Sequence, residues 1–472
     1  MNKEEPVTPF GRVFLQEEGN QVINCAMGFK NPVSVESVKA EFKNSVLVQH
    51  PRFHSVLVRN KNNGEEYWKR GDINLDKHIF LVQDIDHGDS STSNILNNDE
   101  IVNGYLADLA VSSPLSIDKP LWELHVLKDQ NCLILRVNHA LGDGVSVMSL
   151  VLAMCRKVDQ PDQLPSIPKN NRRSSNRRIN MCKMYKMIRR LVMQIWLTIV
   201  YVMSFVLRIL YLKDAKCKIS GGNGVELWPR KLATAKFKLD DMKSVKNAVL
   251  SATINDVLFG VITSGLSRYL DYHQTSDSKP KEGLRITGVS MVNLREQHGL
   301  QDMENLVKCI SVSSWWGNKF GYILFPIYPH KRVGNDPLQY VKNAKEMLDK
   351  KKLSFEALIT YAITKSVMSL LGPRATFLFI NRGVCNTSFM ISNVVGPQEE
   401  IMFGGNPITS LRATSSSLPH ALTMHMISYF GKAEMNILVA KDIIPDPQFL
   451  AKCFEDALLE MKDASTAASV KT

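Results

Sequence analysis

The sequence predicts an α/β protein of two domains joined by a membrane-associated segment. Its 472 residues exceed what one hydrophobic core normally holds, and a hydrophobic content of 44% suits a globular protein. Helical and strand patterns alternate in both halves, and the composition changes abruptly between them. We therefore place an N-terminal domain at residues 1–165, a basic linker with an apolar helix at 166–222, and a C-terminal domain at 223–472.

The first domain opens with helical and hairpin patterns. Apolar residues three or four apart predict an amphipathic helix over residues 34–50. The segments 55–59 and 67–68 flank an Asn-Gly turn and are typical of a β-hairpin. A second helix is predicted at residues 101–109.

Two further predicted strands lead to the segment that contains His139. Residues 121–126 and 133–137 are predicted to pair across a polar turn, with His125 as a strand residue that has no role in chemistry. His139 follows the second strand, and the apolar run 145–154 predicts a packed helix after it.

His139 is the candidate base, because imidazole accepts a proton near neutral pH and a strand end holds it rigidly. Asp143 can fix the turn that presents the ring, and Gly142 and Gly144 can let that turn bend tightly. On spacing alone, a histidine beside such a turn is more often structural than catalytic.

The net charge of +12 belongs to one segment. Residues 169–218 hold thirteen Lys or Arg against one acid, Asp214, and the charges of the remaining chain cancel. No motif for nucleic-acid binding accompanies this segment, and apolar residues follow it. We therefore expect contact with an anionic membrane surface and not with nucleic acid.

The middle segment contains a linker and a long helix. Residues 168–180 are polar and rich in Ser and Asn, which predicts a disordered linker. Residues 191–207 carry no charge, and with Arg208 tolerated the helix at 183–212 is long enough to span a membrane. A thin polar stripe nevertheless runs along it, as is typical of a helix lying in the membrane interface. This stripe comprises Lys183, Lys186, Arg190, Gln194, Thr198, Tyr201 and Arg208.

Topology favours the in-plane interpretation. An active site that uses His139 and residues beyond the helix cannot be divided by a bilayer, so we expect a cytosol-facing enzyme whose helix inserts in the plane or re-enters. A buried core helix is the weaker alternative, because nine basic residues lie between 169 and 190. The acidic, polar N-terminus predicts no signal peptide, and the eight scattered cysteines predict reduced thiols without a metal site.

The second domain resumes globular patterns. Asp240 is predicted to cap one helix, and Asn255 and Asp256 open a long apolar helix toward Tyr269. From the residues alone, a cap with an acid favoured by the helix dipole is the better interpretation of this pair. Further elements are predicted at residues 286–293 (strand), 351–371 (helix), 387–391 (strand), 420–439 (hairpin) and 447–462 (helix). His420 and His425 are predicted as strand residues and not as bases.

Several motifs resemble those of CoA-dependent acyltransferases. Residues 138–144, N-H-A-L-G-D-G, resemble the H-H-x-x-x-D-G signature, and residues 120–122 resemble the P-L-W motif of the wax ester synthase/diacylglycerol acyltransferase family in its plant form. Asn255-Asp256 and residues 392–397 are similar to the N-D and S-N-x-x-G-P motifs of that family. The similarity extends in the family order from Pro6 to Asp442.

The resemblance implies a chloramphenicol-acetyltransferase-like fold of two α/β domains with the histidine motif in a channel between them. It makes His139 the general base and implies a salt bridge between Arg295, at the end of the strand 286–293, and Asp143. The residues to which it gives supporting roles are Asn138 (in place of the first His), Asp143, Gly144, Asn255, Asp256 and Arg295. Asn255 and Asp256 would line the active site, and the oxyanion formed in the reaction would need donors such as backbone N–H groups or Asn255.

The implied activity is acyl transfer from acyl-CoA, as substrate and without cofactor or metal, to a long-chain fatty alcohol or to diacylglycerol. Membrane lipids would be further partners, at the endoplasmic reticulum with the plasma membrane as an alternative. Two other functions stay open: acylation of a soluble alcohol in secondary metabolism, and lipid binding by an inactive protein, given Asn138 in the first His position.

Overall fold

A computed structural model describes residues 5–43, 45–60, 64–83, 97–166, 181–273, 284–295, 316–329 and 336–469, so the linker predicted at 168–180 lies outside the described residues. The strands are β1 (Glu5–Pro6), β2 (Val22–Phe29), β3 (Ser55–Arg59), β4 (Glu66–Arg70), β5 (Ile79–Leu81), β6 (Trp122–Leu127), β7 (Cys132–Asn138), β8 (Arg156–Lys157), β9 (Arg230–Lys238), β10 (Ile286–Asn293), β11 (Phe320–Ile327), β12 (Phe389–Val395), β13 (Ile401–Phe403), β14 (Asn406–Ser415), β15 (Leu422–Tyr429) and β16 (Lys432–Ala440). The helices are α1 (Pro9–Val13), α2 (Val35–Lys43), α3 (Val46–Gln49), α4 (Asn98–Ala110), α5 (Gly144–Met154), α6 (Met181–Leu210), α7 (Leu239–Ala248), α8 (Ile254–Tyr272), α9 (Leu338–Leu353), α10 (Glu356–Cys385) and α11 (Pro447–Ser469).

Two large sheets carry the two halves of the protein. The first has the strand order β5-β6-β7-β2-β14-β13-β8, and the second has the order β11-β10-β12-β15-β16-β9. A small third sheet has the order β1-β4-β3. Each large sheet packs against its own apolar core, and the core of the first includes Trp122 and Phe42.

The two sheets do not divide at the predicted middle segment. Strands β13 and β14 belong to the C-terminal part of the chain, yet β14 pairs antiparallel with β2 and so completes the first sheet. The chain then returns to the second sheet through the β15–β16 hairpin. The halves are therefore joined through backbone hydrogen bonds as well as through side-chain packing.

Several predicted elements have different bounds in the structure. Residues 34–50 form two helices, α2 and α3. The helix predicted at 351–371 is divided: α9 ends at Leu353, and α10 starts at Glu356 and bends at Gly372, where φ is +79°. Asp240 does not cap α7, because Lys238 holds that position and Asp240 lies in the first turn, where the dipole still favours an acid.

Helix α6 packs on α10 with its polar residues turned inward. The Thr198 hydroxyl accepts a hydrogen bond from the Phe355 N–H (3.0 Å), and Lys351 Nζ lies 3.6 Å from the centroid of the Tyr201 ring. Arg208 donates to the Asn386 carbonyl (2.8 Å). The stripe that suggested a water-facing side thus contacts the protein over this part of the helix. The exposed apolar side chains of α6 include Leu191, Val192, Ile195, Trp196, Ile199 and Met203.

Candidate active site

His139 lies immediately after β7, at the point predicted from the sequence. Its backbone N–H donates to the Gln21 carbonyl at 2.7 Å. The ring stacks on Phe14, with 4.2 Å between the centroids, and meets the edge of Phe320. Only 8% of the residue is exposed, and that part lines a large cavity. The imidazole is therefore rigidly held and faces a space that a substrate can enter.

Asn318 determines which nitrogen of the His139 ring can act as a base. The Asn318 amide nitrogen donates to the His139 carbonyl (2.8 Å), so its oxygen faces His139 Nδ1 at 2.9 Å. Because an amide oxygen only accepts, Nδ1 carries the proton and Nε2 keeps its lone pair. Sequence patterns did not predict a role for Asn318. The local sequence shows only that Asn318 follows a glycine and lies just before the apolar run of β11. In the structure, that glycine, Gly317, has a φ of +112°.

The environment keeps the His139 ring uncharged. Burial lowers the pKa of His139 below its ordinary value, while the Asp143 charge and the Asn318 hydrogen bond act in the opposite direction. A neutral imidazole is the form that can accept a proton, so the lowered pKa suits a base at neutral pH.

The loop around His139 is fixed by its own side chains. The Asn138 side chain donates to Asn20 Oδ1 (2.7 Å) and accepts from the Ala140 N–H (2.8 Å), so it holds the turn. Asp143 caps α5 by accepting from the Ser146 N–H at 3.0 Å. Neither Gly142 nor Gly144 has a positive φ, so this turn does not use the left-handed conformation that favours glycine. A Cβ at position 142 would instead lie 2.9 Å from Ser146 Cβ, which explains why glycine fits there.

Arg295 joins this loop to the second half of the chain. Its guanidinium donates to both carboxylate oxygens of Asp143, at 2.9 and 3.1 Å. It also donates to the Ser146 hydroxyl and to the Gly317 carbonyl. The Arg295 and Asp143 side chains are 6% and 9% exposed, so this two-pronged ion pair is almost completely buried.

The cavity beside His139 lies between the two halves and contains about 1420 Å³ of empty space, including its open mouth. Most of its lining is apolar, with β10, β12 and α10 contributing from the second half. Its lining includes Phe14, Val289, Met291, Tyr322, Phe377, Ile380, Val384 and Met390. Asp143, Gly144 and a second histidine, His425, also line it. A pocket of this size and character is suited to a long apolar chain.

In the part of the chain that the structure describes, Asn255 and Asp256 are not among the residues that line this cavity. Asp256 is buried and accepts from the Thr253 N–H (2.7 Å), which makes it part of the capping box of α8. Asn255 is exposed and its side-chain oxygen accepts from Asn393 Nδ2 at 2.9 Å. Because Asn393 lines the cavity, Asn255 contacts the cavity wall through Asn393 and not directly.

Comparison with known proteins agrees with this architecture. Residues 30–258 match the model of the wax ester synthase/diacylglycerol acyltransferase catalytic domain, and residues 316–462 match that of the WS/DGAT C-terminal domain. The chain is 35% identical to wax ester synthase/diacylglycerol acyltransferase 5 of Arabidopsis thaliana, over 98% of this chain and 94% of that protein.

Solved structures show the same fold at low sequence identity. The wax ester synthase/diacylglycerol acyltransferase from Marinobacter aquaeolei VT8 superposes with a TM-score of 0.59 at 16% identity, over 98% of this chain and 100% of that chain. The first condensation domain of the calcium-dependent antibiotic synthetase gives a TM-score of 0.55 at 12% identity, over 98% and 96% of the two chains. The predicted two-domain α/β acyltransferase fold is confirmed.

Proposed function

This chain belongs to the wax ester synthase/diacylglycerol acyltransferase family, and from that premise we infer that it transfers a long-chain acyl group from acyl-CoA to a fatty alcohol or to diacylglycerol. The observation that carries this function is the His139 ring at the cavity between the halves, with Asn318 on Nδ1 and Nε2 left for a substrate. The family motif in which Asn138 replaces the first histidine remains compatible with catalysis, since Asn138 holds the turn.

The proposed reaction is a direct transfer with His139 as general base. His139 Nε2 takes the proton of the acceptor hydroxyl, the oxygen forms a bond to the thioester carbon, and the carbonyl electrons move to its oxygen. When the carbonyl re-forms, the C–S bond breaks, and the proton held by His139 passes to the CoA thiolate. A thioester is already activated, so a base and a site that positions both substrates suffice.

The other site residues are proposed to support this base. Asp143 and Arg295 fix the loop that carries His139 to the second half, and Gly144 begins α5 at the cavity wall. Asn255 and Asp256 stabilise the start of α8 behind Asn393. No metal or bound cofactor is needed for this chemistry, because acyl-CoA enters as a substrate.

Transfer is tested with the purified full-length chain, labelled acyl-CoA and either a long-chain alcohol or diacylglycerol. We expect a wax ester or triacylglycerol, and a loss of about 10²–10⁴-fold in kcat for His139→Ala. His125→Gln is the matched control, because His125 lies on β6 away from the cavity. A polar ester formed only from soluble alcohols, or lipid binding without product, would replace the proposal with one of the two alternative functions.

We further propose that the protein lies on the cytosolic face of the endoplasmic reticulum membrane, with α6 inserted in the plane. Within α6, the 26-residue stretch Tyr185–Leu210 is long and apolar enough to cross a bilayer. Its contacts to Phe355, Lys351 and Asn386 tie it to the enzyme instead, and Trp196 is 62% exposed on the outer face. Exposed basic side chains at Lys186, Arg189 and Arg190 suit anionic lipid headgroups.

Vesicle flotation tests the membrane proposal. The double substitution Trp196→Asp and Ile199→Asp adds charge at two exposed apolar side chains and keeps Thr198, Tyr201 and Arg208, so we expect binding to anionic vesicles to fall by about tenfold or more. Leu250→Asp is the control, because Leu250 is 89% exposed but lies outside α6. Undiminished binding by the double variant would mean that the anchor lies elsewhere, and the plasma membrane is the competing location in cell fractionation.

A further inference from the structure

Two imidazoles from the described part of the chain, His139 and His425, line the cavity, and His425 has no assigned role. His425 lies on β15, in register with Ser392 of β12 and Asn436 of β16. Side chains alternate along a strand, so His425 and Ile427 share one face, and Ile427 packs in the core of the first sheet. His425 therefore faces the seam where His139 lies, and it approaches the cavity from the opposite half of the protein.

The hydrogen-bonding state of His425 sets it apart from the other buried histidines. It is only 9% exposed, its Nδ1 is enclosed without a partner, and neither ring nitrogen bonds to any part of the chain that the structure describes. His50, His78 and His420 each use one ring nitrogen in a hydrogen bond. Nε2 is not enclosed in this way, so it is the ring nitrogen that is left to bond a molecule in the cavity.

The His425 ring is also kept neutral, so it can donate a hydrogen bond without transferring a proton to the ligand. Burial and the neighbouring His139 lower the pKa of His425 to about 4, so the imidazole is neutral wherever His139 can act as a base. With Nδ1 enclosed, Nε2 is the nitrogen that can carry a proton toward a ligand. A neutral imidazole can then polarise a carbonyl as a fixed hydrogen-bond donor.

We propose that His425 is a further catalytic residue, which donates a ring N–H to the thioester carbonyl of acyl-CoA and to the oxyanion formed from it. Two other polar side chains in the wall are already engaged, since the Asn393 amide donates to Asn255 and the Ser415 hydroxyl donates to the Ser416 carbonyl, while the Ser392 hydroxyl is a competing donor. Asn255, one of the donors considered from the family resemblance, is not among the described residues that line the cavity. His425 thus supplies a donor of the kind that the proposed reaction needs.

The step balances without any transfer of the His425 proton. As His139 takes the acceptor proton and the new C–O bond forms, negative charge develops on the carbonyl oxygen, which accepts a stronger hydrogen bond from His425. When the C–S bond breaks, the charge leaves with the thiolate, and His425 returns to its original bond with the product ester. Its contribution is therefore greatest in the transition state and affects kcat more than KM.

The test compares His425→Phe, which keeps a flat ring without a donor, with His425→Gln, which keeps an N–H. For His425→Phe we expect kcat to fall about 10²–10³-fold with the KM for acyl-CoA changed less than about threefold. The kcat of His425→Gln should be about tenfold or more above that of His425→Phe. Ser392→Ala is the matched control, because Ser392 is the register partner of His425 and its hydroxyl is the competing donor at this wall.

A spectroscopic measurement separates catalysis from folding. The infrared carbonyl band of ¹³C-labelled acyl-CoA bound to the wild-type protein should shift to lower frequency, and the shift should disappear in His425→Phe. The inference is overturned if His425→Phe keeps its kcat, if both variants lose activity equally with lowered Tm, or if only Ser392→Ala removes the shift. It rests on the proposed function, whose own failure would appear separately as a wild-type protein that forms no ester.

Discussion

Replacing Arg295 with alanine removes the cation that ties the histidine loop to the second half of the chain. Breaking a buried ion pair from one side leaves an uncompensated charge, which typically costs about 3–5 kcal/mol. Asp143 would keep the N–H groups of Ser146 (3.0 Å) and Lys319 (3.2 Å) as donors. We therefore expect a value near the lower end, about 3 kcal/mol of unfolding free energy.

Thermal unfolding of the purified variants measures this effect. A loss of 1 kcal/mol lowers Tm by about 2–4 °C in a cooperative unit of 150–250 residues, so Arg295→Ala should unfold on the order of 6–12 °C below the wild type. Arg295→Lys should be intermediate, because an ammonium group cannot bond both carboxylate oxygens in the same planar geometry. Arg374→Ala is the control: that arginine is exposed and 3.3 Å from Glu18, and such a surface pair contributes about 0–1 kcal/mol.

A double-mutant cycle then isolates the pair. Asp143→Ala removes the α5 cap as well as the charge, so it should cost more than Arg295→Ala alone. The double variant should lose less than the sum of the two, by about 0.5–3 kcal/mol, because neither charge is then left unpaired. An Arg295→Ala protein with wild-type Tm and activity would refute the assignment of this pair as the link between the halves.

Two other perturbations probe the same site and its surroundings. Asn318→Ala should lower kcat about 10- to 100-fold with little change in KM, because the His139 ring loses the acceptor that holds Nδ1–H in place. Asn318→Asp keeps an acceptor but adds a negative charge, which should raise the pKa of His139. The acid limb of its pH–rate profile should therefore move to higher pH. An unchanged profile in both variants would remove Asn318 from the mechanism. Stability should also fall as the pH drops from about 6.5 to 4.5, because burial lowers the pKa of His50 and His420 to about 3 and that of His78 and His425 to about 4. The unfolded chain binds more protons in that window, so each ring contributes a loss of up to about 1.4 kcal/mol per pH unit, and a Tm that stays flat between these pH values would contradict this account.

Local patterns predicted the elements that carry the site. The strand at residues 286–293 and the β6–β7 and β15–β16 hairpins agree with the alternation of apolar residues, which needs no knowledge of distant contacts. The position of His139 at a strand end followed from the same patterns. The salt bridge of Arg295 to Asp143 was an expectation from family resemblance, since the two residues are 152 positions apart.

Asn318 and His425 were beyond the reach of such patterns for different reasons. Asn318 is 179 residues from His139, and nothing in the intervening sequence indicates which turn will meet the histidine loop. His425 has the alternation of an ordinary strand residue, and it was assigned accordingly. Only the arrangement of the two sheets shows that its face of β15 meets the cavity and not a sealed core.

Helix α6 shows a second limit of sequence reasoning. A helical wheel separates polar from apolar faces, but it does not say whether protein or water meets the polar one. Here Thr198, Tyr201 and Arg208 contact the rest of the enzyme. Their partners are the Phe355 N–H at the start of α10, the Lys351 ammonium of α9 and the Asn386 carbonyl just after α10. The same periodicity therefore fits an enzyme-bound helix with an apolar outer face.

The crossing of β14 into the first sheet explains why the site depends on both halves. Without β14, strand β2 would become a long edge strand with unpaired backbone groups, although nearly all of its residues are buried in the complete protein. The paired strands hold the first sheet beside β15, which follows β14 along the chain and carries His425. Strand β14 thus completes the first sheet and also brings β15, part of the cavity wall, close to His139. The predicted division at residues 166–222 therefore separates two stretches of sequence whose strands pair in one sheet.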